Sequence, residues 1–133
     1  MNPIADDTIP NYWLSALIID PEFMCKQVRD DTKSLYIAEH GKTCPTEILE
    51  AMVAINAEGR PIWKPMHRQP IFRMNEFVTC SGTGRAMTNA YIAGSVFDVG
   101  SDIFERGCCL PSDNKMTGDQ QRVIIELIKN CFA

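Results

Sequence analysis

The sequence predicts an α+β domain in which helices flank a small, mostly antiparallel three-stranded sheet. Three observations carry this prediction. An apolar run at residues 12–19 ends at a turn, and a helix near the end of the chain has a complete N-terminal cap. The elements also follow the order strand, helix, strand, loop, helix, strand, helix, which is typical of a sheet with helices against one face.

Length and composition indicate one globular domain. The chain has 133 residues, of which 45% are hydrophobic and 23% charged, and its formal net charge is -4. This charge argues against general nucleic-acid binding, which needs a broad basic surface. No apolar run reaches the roughly 18 residues of a membrane span, and the first residues lack a signal-peptide pattern. We therefore expect a cytoplasmic protein.

The six cysteines form no C-x-x-C pair. His40 and Cys44 are four residues apart, but no second pair at ligand spacing completes a zinc site, so no metal is predicted. We expect reduced and mostly buried thiols, as in cytosolic proteins.

The first part of the chain begins with a linker at residues 1–10. The run YWLSALII, Tyr12 to Ile19, predicts a strand, and its near-continuous apolarity suggests burial on both faces. Residues 22–42 are mixed and polar, so they are predicted as loop with at most a short helical turn.

A helix is predicted to open at residues 43–46, because proline is favoured in a first turn. Gly59 is its predicted stop. Residues 60–63 then predict a short strand. The apolar positions at helical spacing are Ile48, Leu49, Met52, Val53 and Ile55.

The second half starts with residues 65–70, whose prolines require an extended or turning backbone. Residues 74–92, which contain SGTG, predict a long loop. Ser95 to Glu105 predicts a helix that Gly107 ends, and Cys108 to Leu110 predicts a strand.

The last helix is predicted to start after Thr117, because Gln120 lies three residues further on, as a capping box requires. Its apolar stripe comprises Val123, Ile124, Leu127, Ile128 and Cys131.

Candidate binding chemistry concentrates in the stretch GRPIWKPMHRQPIF at residues 59–72. Cations there suit a phosphate or carboxylate, Trp63 suits stacking on a ring, and His67 and Gln69 suit directional hydrogen bonds. A proline-rich surface loop with solvated charges is the alternative. In the SGTG loop, Ser81, Thr83 and Arg85 are weaker candidates, and a plain flexible loop is favoured there.

Several motifs together resemble one family. They are NYWL at 11–14, RPIWKPMHRQPIF at 60–72 and FERGCCLPS at 104–112, followed by Met116 and Thr117. In this order and spacing they resemble the C-terminal small domain of pyridoxal-phosphate-dependent nucleotide-sugar aminotransferases, the DegT/StrS family. The resemblance covers residues 11–132 and implies the small α+β domain of fold-type I aminotransferases.

The resemblance also implies a missing half. In that family a large N-terminal domain carries the Schiff-base lysine and most of the phosphate cup, and this sequence has no such domain. No catalytic or cofactor-binding residue is therefore expected here, and pyridoxal phosphate belongs to the intact enzyme. The substrate-facing residues implied are Arg60, Trp63, Lys64, His67 and Gln69, with Asn11 and Tyr12 as further candidates, whereas Trp13 is expected in the core.

Two functions follow as hypotheses. The chain is the C-terminal domain of an enzyme that moves an amino group, with glutamate the expected donor, to a keto sugar on a nucleotide. Its expected partners are the nucleotide sugar and a large aminotransferase domain or a homodimer partner, and alone it is expected to be inactive. The alternative is a stand-alone binding or self-association module without catalysis, and a third possibility is a remnant without function.

Overall fold

The computed structural model describes residues 4–29, 34–72 and 98–133. They belong to two compact bodies. The first body comprises Met1–Ile62 and Glu105–Ala133, and the second body comprises Trp63–Phe104. Five strands are described: β1 (Ser15–Ile18), β2 (Gln27–Arg29), β3 (Ser34–Tyr36), β4 (Arg60–Pro61) and β5 (Gly107–Leu110). Three α-helices are described: α1 (Pro45–Ala54), α2 (Val99–Arg106) and α3 (Gly118–Asn130).

The main sheet has three antiparallel strands in the order β1-β5-β4. Leu17 pairs with Cys108, so both side chains lie on one face, and Leu110 lies on that face two residues further along β5. This face packs against α1 and α3. The central side chains of the resulting core are Ile19, Ile48, Met52 and Cys108. The α+β prediction is thus confirmed.

Strand β1 is shorter and more exposed than predicted. It begins at Ser15 because Tyr12 has a φ of 53°, which is incompatible with an extended strand. Ser15 and Ile18 are exposed, and only Ile19, just after the strand, is buried. The expected burial on both faces is therefore wrong for this strand.

Strands β2 and β3 form an antiparallel hairpin where a loop was predicted. Its pattern is inverted: Val28 and Leu35 pair on the outer face and are each 62% exposed, while Gln27 is half-buried. The Gln27 side chain donates to the carbonyl of Glu105 at 2.5 Å and accepts from the Thr46 hydroxyl at 3.2 Å. Hydrogen bonds of Gln27 thus attach this hairpin to its neighbours. Because its apolar side chains face outward, the usual alternation of inward apolar residues does not predict it. The predicted short helical turn is present at Pro21–Phe23.

Helix α1 forms where predicted but ends before Gly59. Asn56 has a φ of 57°, its N–H reaches the carbonyl of Val53, and the Ala57 N–H reaches that of Met52. These two bonds make a Schellman cap with asparagine in the left-handed position. Gly59 serves a different purpose: a Cβ there would lie 2.7 Å from Met52 Sδ and 3.2 Å from the Cys109 carbonyl oxygen. Glycine permits this close approach.

Helix α3 confirms the predicted capping box. The Thr117 hydroxyl accepts the Gln120 N–H at 3.3 Å, and the Gln120 side chain accepts the Thr117 N–H at 2.9 Å. Four members of the predicted stripe pack against the core, whereas Val123 is 55% exposed.

The two elements before α3 also match. Helix α2 runs from Val99 to Arg106 and ends directly before Gly107, as predicted, whereas β5 begins at Gly107, one residue before the predicted strand. The predicted loop at 74–92 and the start of the predicted helix at 95–97 lie outside the described residues.

Four described cysteines, Cys25, Cys44, Cys108 and Cys109, are buried, which confirms that prediction for the described residues. Burial raises the pKa of the Cys108 thiol from 9.0 to about 12. Among the described helices, none is long and apolar enough to span a membrane.

Candidate functional site

The segment from residue 63 to residue 72 makes two consecutive 3-10 turns in the second body. They cover Met66–Arg68 and Pro70–Phe72. Prolines fit at the starts of such turns because a proline has no N–H to donate. The Pro65 carbonyl accepts the Arg68 N–H at 3.0 Å and so closes the first turn. The predicted turning backbone is confirmed.

His67 is anchored by a carboxylate at the start of α2. Its Nε2 atom lies 2.7 Å from Oδ2 of Asp98. The two side chains are only 13% and 19% exposed. A hydrogen bond to a carboxylate at this distance is charge-assisted and is among the stronger kinds. The imidazole is therefore held in place rather than solvated.

Asp98 is held in turn by the first turn of α2. Its Oδ1 accepts the Ser101 N–H at 3.0 Å, and its Oδ2 accepts the Ser101 hydroxyl at 2.5 Å. Its backbone carbonyl accepts the Asp102 N–H at 3.0 Å, as an N-cap residue does. Burial favours a raised pKa for Asp98, but hydrogen bonds from Ser101 and His67 outweigh burial and lower that pKa. The carboxyl group is ionised at neutral pH.

Two further contacts fix the segment against α2. The guanidinium carbon of Arg68 lies 5.2 Å from the centroid of the Phe104 ring, within cation–π range. A Cβ added to Gly100 would lie 3.3 Å from Cγ of Pro65, so the glycine allows the segment to approach the helix closely. The cation of Arg68 thus serves partly as a structural contact.

The remaining predicted residues of this segment differ in exposure. Trp63 is 65% exposed, whereas Lys64 and Gln69 are half-buried. The Gln69 side-chain amide donates to the Lys64 carbonyl at 3.2 Å and braces the turn. The structure thus places Trp63, Lys64, His67 and Gln69 in one short, braced segment. Its exposed indole presents a face for stacking.

Asn11 and Tyr12 belong to the first body. The Asn11 side chain accepts the Trp13 N–H at 3.1 Å, which is an Asx turn, and Tyr12 takes the left-handed φ. A bulky residue in that region is strained, which makes the turn a candidate functional feature. Trp13 is 67% exposed, so its predicted place in the core is wrong. The turn keeps Trp13 out of β1, where alternating side chains reach the core.

Arg60 also belongs to the first body, at the start of β4. It forms an ion pair with Glu58, and the two side chains are 74% and 72% exposed. Exposed pairs of this kind are weak, so an anionic ligand can compete with Glu58 for the guanidinium.

One groove in the first body has a volume of about 670 Å³. It is lined by residues 55–58, which follow α1, by residues 111–113 and 115–116, and by the first half of α3. None of the seven predicted site residues lines it.

Sequence reasoning missed Asp98 and Ser101. Aspartate is a favoured N-cap residue, but the helix was predicted to begin at Ser95, which placed Asp98 inside it. Asp98 and His67 are 31 residues apart in the chain, so no local sequence pattern predicts their contact. Ser81, Thr83 and Arg85 lie outside the described residues.

The described residues do not suit a covalent pyridoxal phosphate anchor. Such a lysine needs a desolvated amine with a lowered pKa, and none of the described lysines is buried. Lys42 and Lys129, for example, form surface ion pairs with Glu39 and Glu126. Within the same ranges, no group of three or more histidine, cysteine or acidic side chains could hold a metal ion.

Comparison with known proteins identifies a relative of part of this chain. No protein-family model matches the chain. The chain is 36% identical over 88 residues to a Bacillus subtilis (strain 168) protein named "Putative pyridoxal phosphate-dependent aminotransferase EpsN". The match covers 66% of this chain and 19% of that protein, so the chain spans about a fifth of its relative. The chain is thus related to part of a protein of the aminotransferase class.

Proposed function

We propose that this chain is the C-terminal small domain of a nucleotide-sugar aminotransferase of the DegT/StrS family. Its segment at residues 63–69 contacts the nucleotide sugar, and Asn11, Tyr12 and Arg60 are further contacts. A larger aminotransferase part carries pyridoxal phosphate and the covalent chemistry. The amino donor in this proposal is glutamate, and the acceptor is a keto sugar.

The observation that carries the proposal is the anchoring of the segment by His67 and Asp98 at 2.7 Å. Anchoring before binding lowers the entropy cost of ordering the segment around a ligand. Trp63 presents an exposed ring that suits a nucleobase, and Lys64 supplies a cation that suits a diphosphate. Similarity to a protein named as a putative pyridoxal phosphate-dependent aminotransferase supports the aminotransferase part of this proposal.

Tryptophan fluorescence tests the proposal on the chain itself. The chain has two tryptophans, so Trp13→Phe leaves Trp63 as the sole reporter. Titration with a uridine diphosphate sugar such as UDP-glucose is expected to change Trp63 emission saturably. In that background, Lys64→Ala is expected to weaken binding about tenfold, the effect of losing one charge-assisted hydrogen bond.

Arg122→Ala is the matched control, because Arg122 is an exposed cation on α3 that pairs only weakly with Asp119. It should leave the affinity unchanged. A flat titration, or an equal effect of both cation substitutions, would contradict substrate contact by this segment.

The second candidate is self-association without catalysis. The outer face of the β2–β3 hairpin favours it, because Val28 and Leu35 are each 62% exposed and Ile37 is 67% exposed. Exposed apolar clusters of this kind often mark an interaction surface.

Sedimentation velocity distinguishes self-association from the proposed substrate-binding function. A dimer that Leu35→Lys dissociates, together with no nucleotide-sugar binding, would favour the assembly function. The control is Val53→Lys, a change at a 73% exposed residue of α1. A monomer at all accessible concentrations would exclude self-association.

A further inference from the structure

We propose that Asp98 is a positioning residue for His67: it fixes Nε2 as the protonated nitrogen and sets the direction in which the imidazole faces a ligand. The part of this inference that concerns a ligand rests on the proposed function of the 63–69 segment. Its physical core, the protonation and orientation of one ring, stands on the geometry of three side chains.

The first step concerns the carboxylate. An ionised carboxylate offers only acceptors, so the ring nitrogen 2.7 Å from Oδ2 of Asp98 must carry a proton. This holds for the neutral Nε2–H tautomer and for the imidazolium. The alternative neutral tautomer, with the proton on Nδ1, would set two acceptors against each other at hydrogen-bond distance.

The second step concerns the rigidity of the carboxylate. Both of its oxygens accept from Ser101, through the N–H at 3.0 Å and the hydroxyl at 2.5 Å. The cap therefore fixes the orientation of the carboxylate with respect to α2. The carboxylate cannot rotate without breaking these bonds. The orientation of the imidazole is therefore fixed with respect to the first turn of α2.

The third step separates this arrangement from a nucleophilic relay. In such a relay the histidine accepts the proton of the serine hydroxyl. Here the Ser101 hydroxyl donates to the same oxygen of Asp98 that His67 contacts, so serine and histidine share an acceptor. The group therefore orients a side chain and does not generate a serine nucleophile.

Arg68 and Asp102 are two further charged side chains in the described part of the second body. Arg68 lies over the Phe104 ring, and Asp102 lies within α2. Asp98 lies at hydrogen-bond distance from the His67 ring. This makes Asp98 the residue to alter.

Asp98→Asn is the informative substitution. Asparagine caps helices about as well as aspartate, so its carbonyl oxygen can still accept the Ser101 N–H. Its amide nitrogen then faces both His67 and the Ser101 hydroxyl and can only donate, so that hydroxyl turns to become an acceptor. Nε2 must become the acceptor, and the preferred neutral tautomer of His67 is expected to invert from Nε2–H to Nδ1–H.

The measurement is long-range ¹H–¹⁵N correlation NMR of the imidazole rings at a pH where they are neutral. The chain has two histidines, so His40 provides an internal reference in every spectrum. The expected wild-type result is Nε2–H at His67, and Asp98→Asn should invert it without changing His40. Asp98→Glu keeps a carboxylate and should keep Nε2–H.

Asp102→Asn is the matched control, because it removes an acid from the same helix without touching the cap carboxylate. It should leave the His67 signals unchanged. An Nδ1–H tautomer in the wild type, or no change at His67 in a folded Asp98→Asn chain, would overturn the proposal.

Ligand binding is read separately, by the Trp63 titration. If the nucleotide sugar binds, Asp98→Asn and His67→Ala should each weaken it, and the double variant should be no weaker than His67→Ala alone. Independent, additive losses would overturn the positioning role. If no ligand binds, the proposed function fails, while the tautomer measurement still decides whether Asp98 fixes the ring.

Discussion

The first body surrounds a core of fully buried side chains, whereas the described part of the second body is organised around a hydrogen-bonded carboxylate. In the first body Ile48 and Met52 are 0% exposed and pack with β1 and β5. In the second body Asp98 joins His67 and Ser101, and both members of the histidine pair retain some exposure. Apolar burial is insensitive to pH, while a carboxylate must stay ionised to hold its partners.

The largest expected loss of stability follows from a substitution in the apolar core. Ile48→Ala should lower the free energy of unfolding by about 2–5 kcal/mol, because it removes buried methylene groups and leaves a cavity. Urea unfolding measures this change. Val53→Ala on the same helix is the control, since Val53 is 73% exposed and should cost less than about 0.5 kcal/mol. Equal losses at both positions would contradict the assignment of the core to this face of α1.

The next largest loss of stability is expected at Gly59, where α1 and β5 approach each other closely. Gly59→Ala should cost about 1–3 kcal/mol, because its Cβ would lie 2.7 Å from Met52 Sδ and 3.2 Å from a backbone oxygen. Gly118→Ala is the control, because the nearest atom to its Cβ would be the tip of Arg122 at 3.8 Å. Thermal unfolding compares the two, and an unchanged midpoint for Gly59→Ala would show that the backbone relaxes.

A smaller effect is expected at the α3 cap. Thr117→Ala should cost about 1 kcal/mol, because the Gln120 N–H loses its acceptor. The reciprocal change Gln120→Ala removes the other half of the capping box. Because the two residues act as a unit, the double variant should lose less than the sum of the single losses in urea unfolding. Strict additivity would show that the two bonds contribute independently.

The smallest effect on global stability is expected in acid, confined to the second body. The pKa of Asp98 is lower in the folded chain than in the unfolded chain, where it is about 3.9. Its stabilising contribution is therefore complete above that unfolded value and is lost as pH falls through the lower, folded value. Hydrogen exchange should show the Ser101 amide losing protection in this acidic range before the Ile48 amide does.

Asp98→Asn supplies the control for the acid experiment, because asparagine keeps the cap without a titrating group. Its Ser101 amide should show no such loss in the same range. If Ser101 and Ile48 in the wild type lose protection together, the contrast between the two bodies is wrong.

The comparison also explains which predictions from sequence succeeded. Helices α1 and α3 were predicted because their signals are local: a proline start, a capping box and apolar residues at helical spacing. The β2–β3 hairpin was missed because its apolar side chains face outward and Gln27 faces inward. Trp13 was misplaced because an Asx turn, rather than hydrophobicity, decides its direction.

The sequence by itself determined the α+β class, the capped helix α3 and the clustering of candidate binding residues at 60–69, since each depends on neighbours within a few positions. Only the tertiary structure decided that His67 meets Asp98, that Gly59 must lack a side chain and that Arg68 lies over Phe104. These contacts join residues distant in the chain, and their formation depends on how whole elements pack. The physical reason is that local propensity fixes backbone shape, whereas packing selects which side chains face each other.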